Sequence, residues 1–266
     1  MKTKIWLLWG LPLCLCGIAF GEGDSKVELP SKENFHLFLL AGQSNMAGRG
    51  IIGASDKQPH PRVLALNKEG EWAPAVAPIH FDKPVAGVGL ASSFAQAIAE
   101  KDPSVTIGLI PAACGGSPIS TWEPGGYHTQ TKSHPWDDAI ARARVAMKGG
   151  VLKGILWHQG ESDAKAELAD VYEEKLEALF QRFRKALNAP GVPIVVGQLG
   201  QFPGKPWDEN RKQVDRAHQR VAKMMTQVAF VRSDGLTPNS DIVHFDTKSL
   251  RIFGKRYAEA YLEIAD

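Results

Sequence analysis

Five short, largely apolar runs at residues 35–40, 106–111, 154–157, 193–199 and 228–231 alternate with amphipathic stretches of helical period at 90–100, 137–148, 168–187, 208–225 and 247–264. Apolar runs this short suit strands buried on both faces, and the longer stretches between them suit helices that cover those faces. The alternation predicts one α/β domain with a parallel central sheet and helices on both sides. Two segments lack either pattern, 48–88 with most of the early prolines and 115–135 rich in Gly, Thr, Trp and His. Both follow predicted strands, so they are expected at the carboxyl edge of the sheet, where open α/β folds bind ligands.

The N-terminus is read separately. Lys2 and Lys4 precede an apolar run over 5–20, and a polar stretch follows at 22–26, which is the layout of a secretory signal. Residues 1–21 are therefore expected to be a signal peptide cleaved after Gly21, and 22–266 a single exported domain, secreted or periplasmic, with no membrane span once the signal is removed. A retained anchor is the alternative; a lipoprotein through Cys14 or Cys16 is disfavoured because each follows a leucine. Loss of the leader takes the formal charge from +2 to about zero. No basic stripe interleaved with aromatics occurs, so neither nucleic acid nor another polyanion is implied as a partner. Cys114 is the one cysteine outside the leader, so no intrachain disulfide can form. Export then requires a core that stands unaided, for which about 245 residues suffice. Cys114 itself is either a packing residue after a strand or a catalytic thiol, and the first is the commoner use.

Ser44 lies just after the first predicted strand, in Ala41-Gly42-Gln43-Ser44-Asn45-Met46-Ala47-Gly48. Its hydroxyl would project from the carboxyl end of that strand, although Gly-Ser-Asn clusters also make plain turns. Met46 two places on rules out the Gly-x-Ser-x-Gly elbow. A serine hydroxyl needs a base and a group to orient that base. Asp241-Ile242-Val243-His244 offers both: three residues of separation on a helical turn would put the carboxylate behind the imidazole. The plain alternative is an Asp capping the last helix beside a surface histidine. An oxyanion needs donors, and the candidates are the Ser44 N–H, a backbone N–H at Gly115 in Cys114-Gly115-Gly116-Ser117, and the side-chain amide of Gln159 in Trp157-His158-Gln159-Gly160-Glu161-Ser162-Asp163.

Taken with Gly115-Gly116-Ser117-Pro118-Ile119 and Trp122, these segments resemble the SGNH hydrolase superfamily, in particular the carbohydrate esterase group that includes sialate O-acetylesterases and acetylxylan esterases. The resemblance implies a three-layer α/β/α sandwich like that of flavodoxin. It implies a serine esterase that removes O-acetyl groups from carbohydrate through an acyl-enzyme, on acetylated polysaccharide such as xylan or on O-acetylated sialic acid, with no cofactor and no metal. Ser44 would be the nucleophile, His244 the base and then acid, Asp241 its orienting partner, and Gly115 and Gln159 the rest of the oxyanion hole. Gln159 stands where the wider superfamily has asparagine, so no further role passes to Glu161 or Asp163; they are expected to hold Gln159 in place. Asn45, Gly116, Trp122 and Glu161 are the candidate substrate contacts. Trp122, with Tyr127 and His128, could stack on a sugar ring, or Trp122 could pin its loop to the core.

Two readings of other classes compete. A metal-dependent hydrolase would use His158, Glu161, Asp163 and His244, but the spacing is not that of a His-Glu-x-x-His helix. A carbohydrate-binding protein could keep the fold without the chemistry.

Overall fold

The computed structural model describes residues 27–265. The expected leader, with Cys14 and Cys16, lies outside the described residues. Seven strands form one sheet: β1 (Phe35–Gly42), β2 (Val63–Leu66), β3 (Trp72–Pro74), β4 (Thr106–Pro111), β5 (Val151–His158), β6 (Ile194–Gly197) and β7 (Val228–Val231). Their order is β3-β2-β4-β1-β5-β6-β7, and only the β2–β3 pair is antiparallel. The α-helices are α1 (Ser44–Ala47), α2 (Ala91–Lys101), α3 (Pro135–Ala146), α4 (Tyr172–Ala186), α5 (Glu209–Met224) and α6 (Thr247–Ile264), with four short 3-10 turns among the described residues.

The sandwich follows from period-2 alternation along strands that are apolar on both faces. Phe35, Leu37, Leu39 and Ala41 of β1 face α3, α4 and α5, whereas Phe38 and Leu40 face α2 and α6. Phe38 meets Phe94 of α2 and Tyr261 of α6 edge-on, with ring centroids 4.9 and 5.0 Å away. Truncating a fully buried phenylalanine of this kind to alanine typically costs about 3–5 kcal/mol.

All five predicted strands and all five predicted helices are present. The irregular segment 48–88 differs from expectation, since it contains β2 and β3. These are short, and β3 lies at the sheet edge with its residues half-buried or exposed, so no apolar run marked it. β1 sits at the centre between β4 and β5, where the chain switches direction of progress across the sheet. The loops after β1, β4 and β5 therefore emerge side by side at one edge. Among the described residues no helix is long and apolar enough to cross a membrane.

Candidate functional site

β1 ends at Gly42, whose φ of +124° and approach to β5 leave no room for a side chain: a Cβ there would strike the His158 carbonyl. That contact lets Gln43 N–H donate to the same carbonyl at 2.9 Å, and the chain turns at once into the single turn α1, with Ser44 as its first residue.

His244 Nε2 lies 2.9 Å from Ser44 Oγ, and His244 Nδ1 lies 2.6 Å from Asp241 Oδ2. Asp241 and His244 are not on a helical turn, contrary to the spacing argument. They lie in an irregular loop in which Ile242 has a φ of +54°. Asp241 Oδ1 accepts the N–H groups of Val243 and His244 at 2.8 and 2.9 Å, and this Asx-type closure brings the carboxylate behind the ring. Burial would raise the Asp241 carboxyl, but the His244 ring and the two backbone amides outweigh it and hold it below the usual range. The helix cap is supplied by Asp246, whose side chain accepts from Ser249 N–H.

The oxyanion candidates divide. Ser44 N–H has no acceptor among the described residues. Gly115 N–H, by contrast, donates to Asp82 Oδ2 at 2.8 Å. Gln159 is fully buried, and its amide nitrogen donates to Ser117 O at 3.0 Å and to Asp163 Oδ2, while its Oε1 accepts from Tyr172 Oη. Both of its N–H groups are thus spent inside the protein, which gives the Gln159 side chain a bracing place rather than a free donor. Around it, Gly115 O accepts from His128 Nε2, Gly116 O from Ser162 Oγ, and Ser117 N–H donates to Cys114 O. Gly116 N–H is the polar backbone group of this triplet left without a partner among the described residues. Its φ of +85° is a conformation that glycine adopts freely.

Three expected substrate contacts are corrected. Trp122 is fully buried, donates from Nε1 to Ser117 Oγ at 3.0 Å and packs edge-on against Trp157, so it pins the loop and cannot stack on a sugar. Asn45 is 1% exposed; its amide donates to Glu161 Oε1 at 2.6 Å and its Oδ1 accepts Phe245 N–H at 3.1 Å, tying the Ser44 turn to the His244 loop. Glu161 is buried against Asn45 and lies 3.6 Å from His158 Nε2, an ion-pair distance. It therefore braces Asn45, while Asp163 alone of the two acids holds Gln159, as expected for that residue. Tyr127 is 51% exposed, against His134. Cys114 is buried, and burial pushes its thiol up, as suits a packing residue.

Burial would raise the Glu161 carboxyl, but the neighbouring His158 ring and Asn45 amide carry it down to about 2. Its ordinary value is 4.5. A carboxyl lowered on folding stabilises fully above its unfolded value, and that contribution is lost as pH falls toward the folded one. Thermal melts should therefore show wild type losing stability between about pH 5 and pH 2 more steeply than Glu161→Gln. Equal slopes would show that Glu161 carries no such linkage.

His158, Glu161, Asp163 and His244 do not converge on one point: Asp163 is turned to Gln159 and Ile119 N–H, and His244 to Ser44 and Asp241. Among the described residues no group of three or more His, Cys, Asp or Glu side chains is arranged to hold a metal ion. The sequence offered no sign of Asp82, Tyr172 or His218, whose Nε2 lies 3.0 Å from Tyr172 Oη. Arg49 could have been suspected only from its place beside the Ser44 motif.

A family model described as carbohydrate esterase, sialic acid-specific acetylesterase, matches residues 34–263. A probable carbohydrate esterase of Arabidopsis thaliana is 31% identical over 264 residues, covering 91% of this chain and 95% of its own. The crystal structure of that Arabidopsis protein superposes with a TM-score of 0.77 at 30% identity, over 88% of this chain and 100% of the other. The fold is shared with NanS, at a TM-score of 0.70 and 17% identity over 88% of this chain and 98% of that one. It is shared also with XAC1771, described as a carbohydrate acetylesterase from Xanthomonas citri, at a TM-score of 0.67 and 20% identity over 87% and 56% of the two chains. The chain belongs to the carbohydrate esterase family described as sialic acid-specific acetylesterase, and it is a carboxylic ester hydrolase with an α/β fold.

Proposed function

We propose that this carbohydrate esterase is a serine enzyme that removes O-acetyl groups from a glycan through an acyl-enzyme. The observation that carries the reading is the continuous chain Asp241 Oδ2–His244 Nδ1 and His244 Nε2–Ser44 Oγ, at 2.6 and 2.9 Å. In it, His244 takes the Ser44 proton as Oγ attacks the acetyl carbonyl. It then returns that proton to the leaving sugar hydroxyl, and Asp241 holds the ring in the tautomer that leaves Nε2 free to accept. Water, deprotonated by the same nitrogen, releases acetate from Ser44.

The tetrahedral oxyanion is received by Ser44 N–H and Gly116 N–H. Gly116 replaces Gly115 in this role because the Gly115 amide is already bonded to Asp82, whereas that of Gly116 is unspent. Preorganised backbone donors of this kind are worth about 10²–10³ in rate each. Gln159 contributes by holding Ser117 O, and through it the donor loop. Asp241 is half-exposed and His244 partly exposed, so the base of the triad is reached from solvent.

Acetylated sialic acid is the first substrate to test, because the family's description names it; acetylated xylooligosaccharide is the second. Acetate release from both should be measured with wild-type protein and with Ser44→Ala as control. Serine-dependent release from either glycan supports the reading. Release that survives in Ser44→Ala would refute the serine mechanism, and release from neither glycan would refute the substrate class.

A further inference from the structure

Asp82 lies in the long connection between β3 and α2, away from every motif. Its side chain is 2% exposed, and one oxygen, Oδ2, accepts both the Gly115 N–H at 2.8 Å and an Arg49 guanidinium N–H at 2.9 Å. Arg49 is also buried, and its other terminal nitrogen donates to Gly48 O at 2.7 Å, at the end of the turn that begins with Ser44. A continuous polar bridge thus runs from the Ser44 turn through Arg49 and Asp82 to Gly115. The seat is tight: a Cβ on Gly115 would collide with both Arg49 and Asp82.

The surroundings single out Arg49 as the partner for the Asp82 charge. Asp82 and His80 line a cavity of about 130 Å³ together with Cys114, Asp138 and Arg142. Burial lowers His80 to about 4, so its ring is neutral near pH 7. Arg142 donates to Pro111 O and lies over the Phe81 ring. Breaking a buried ion pair from one side leaves the other charge uncompensated, so neither partner is an incidental surface residue.

We infer that Asp82, held by Arg49, is a positioning residue for the oxyanion donor: by tying the Gly115 amide to the Ser44 segment it sets where the adjacent Gly116 N–H points relative to Ser44 Oγ. The inference rests on the role proposed above for Gly116. It goes beyond a structural staple because it demands an effect on the tetrahedral state over and above any effect on folding. Small misplacements of a catalytic donor cost on the order of 10²-fold in rate.

The test compares wild type, Asp82→Ala, Asp82→Asn and Arg49→Met on 4-nitrophenyl acetate. It measures kcat, KM, thermal unfolding and inhibition by phenylboronic acid, which adds to a serine oxygen as a tetrahedral species. Asp82→Ala should lose about 100-fold in kcat with KM within about threefold, and boronate affinity should fall in parallel. Asp82→Asn keeps an acceptor oxygen for Gly115 and Arg49 and should stay within about tenfold of wild type. If Asp82→Ala does not fold, Arg49→Met decides: it frees the bridge from the Ser44 turn and should lose about tenfold in kcat and in boronate affinity at unchanged KM. Folded Asp82→Ala or Arg49→Met with wild-type kcat and boronate affinity would overturn the inference. Ser44→Ala in parallel separates the levels, because an inactive Ser44→Ala beside fully active Asp82→Ala leaves the serine mechanism standing and removes only the role of Asp82.

Discussion

Ser44→Ala is expected to lower kcat for acetate release by roughly 10⁶-fold, the scale seen when a serine hydrolase loses its nucleophile. At about 1.4 kcal/mol per tenfold, this corresponds to roughly 8 kcal/mol of barrier. The side-chain hydrogen bond of Ser44 Oγ goes to His244, and alanine is a good residue for the first position of a helical turn. The melting curve should therefore move by no more than a surface-type substitution would, within about 1 kcal/mol. Loss of turnover with the fold retained is the signature to measure, by acetate assay and thermal unfolding on one preparation. If the folded variant kept more than about 1% of wild-type kcat, another group would be attacking the acetyl carbonyl, and the proposed role of Ser44 would fall.

The second large effect is expected from Asp241→Asn, which should cost about 10⁴-fold in kcat. Geometry makes the direction firm. Asp241 Oδ1 accepts two backbone amides, from Val243 and His244. An asparagine in the same rotamer must keep its carbonyl on those amides and turn its NH₂ toward His244 Nδ1. That nitrogen then has to accept rather than donate, so the ring proton moves to Nε2, the atom facing Ser44 Oγ. The base is thereby placed in the wrong tautomer without displacement of the loop. Kinetic measurement together with the ¹⁵N spectrum of His244 checks both halves. A variant within tenfold of wild type, or one whose Nε2 remains unprotonated, would remove the orienting role from Asp241.

The site was legible where its parts lie in short contiguous segments. Ser44 follows an apolar strand, and Asp241 and His244 stand three residues apart, so their chemistry is local to short segments, even though the turn that joins Asp241 and His244 is an Asx closure rather than a helix. What could not be read was the destination of each polar side chain. Gln159 and Gly115 have the right chemistry for donors, yet Ser117, Asp163 and Asp82 from other segments claim their hydrogens first. Trp122 and Asn45 look like surface recognition residues in a Gly-rich context and are buried braces instead. β3 is a short edge strand with little apolar pattern, and β2, although apolar and inside the sheet, is only four residues long within a proline-rich stretch.

The amino-acid sequence by itself determined the α/β class and singled out Ser44, His244 and Asp241 as candidates, because hydrophobic period and local spacing are properties of contiguous residues. Only the tertiary structure decided that Gly116 rather than Gly115 presents the unspent N–H, and that Asp82 and Arg49 bind the two halves of the site together. The physical reason is that a hydrogen can be donated once. Which acceptor receives it depends on groups 33 and 42 residues away in the chain, as with Asp82 for Gly115 and Ser117 for Gln159.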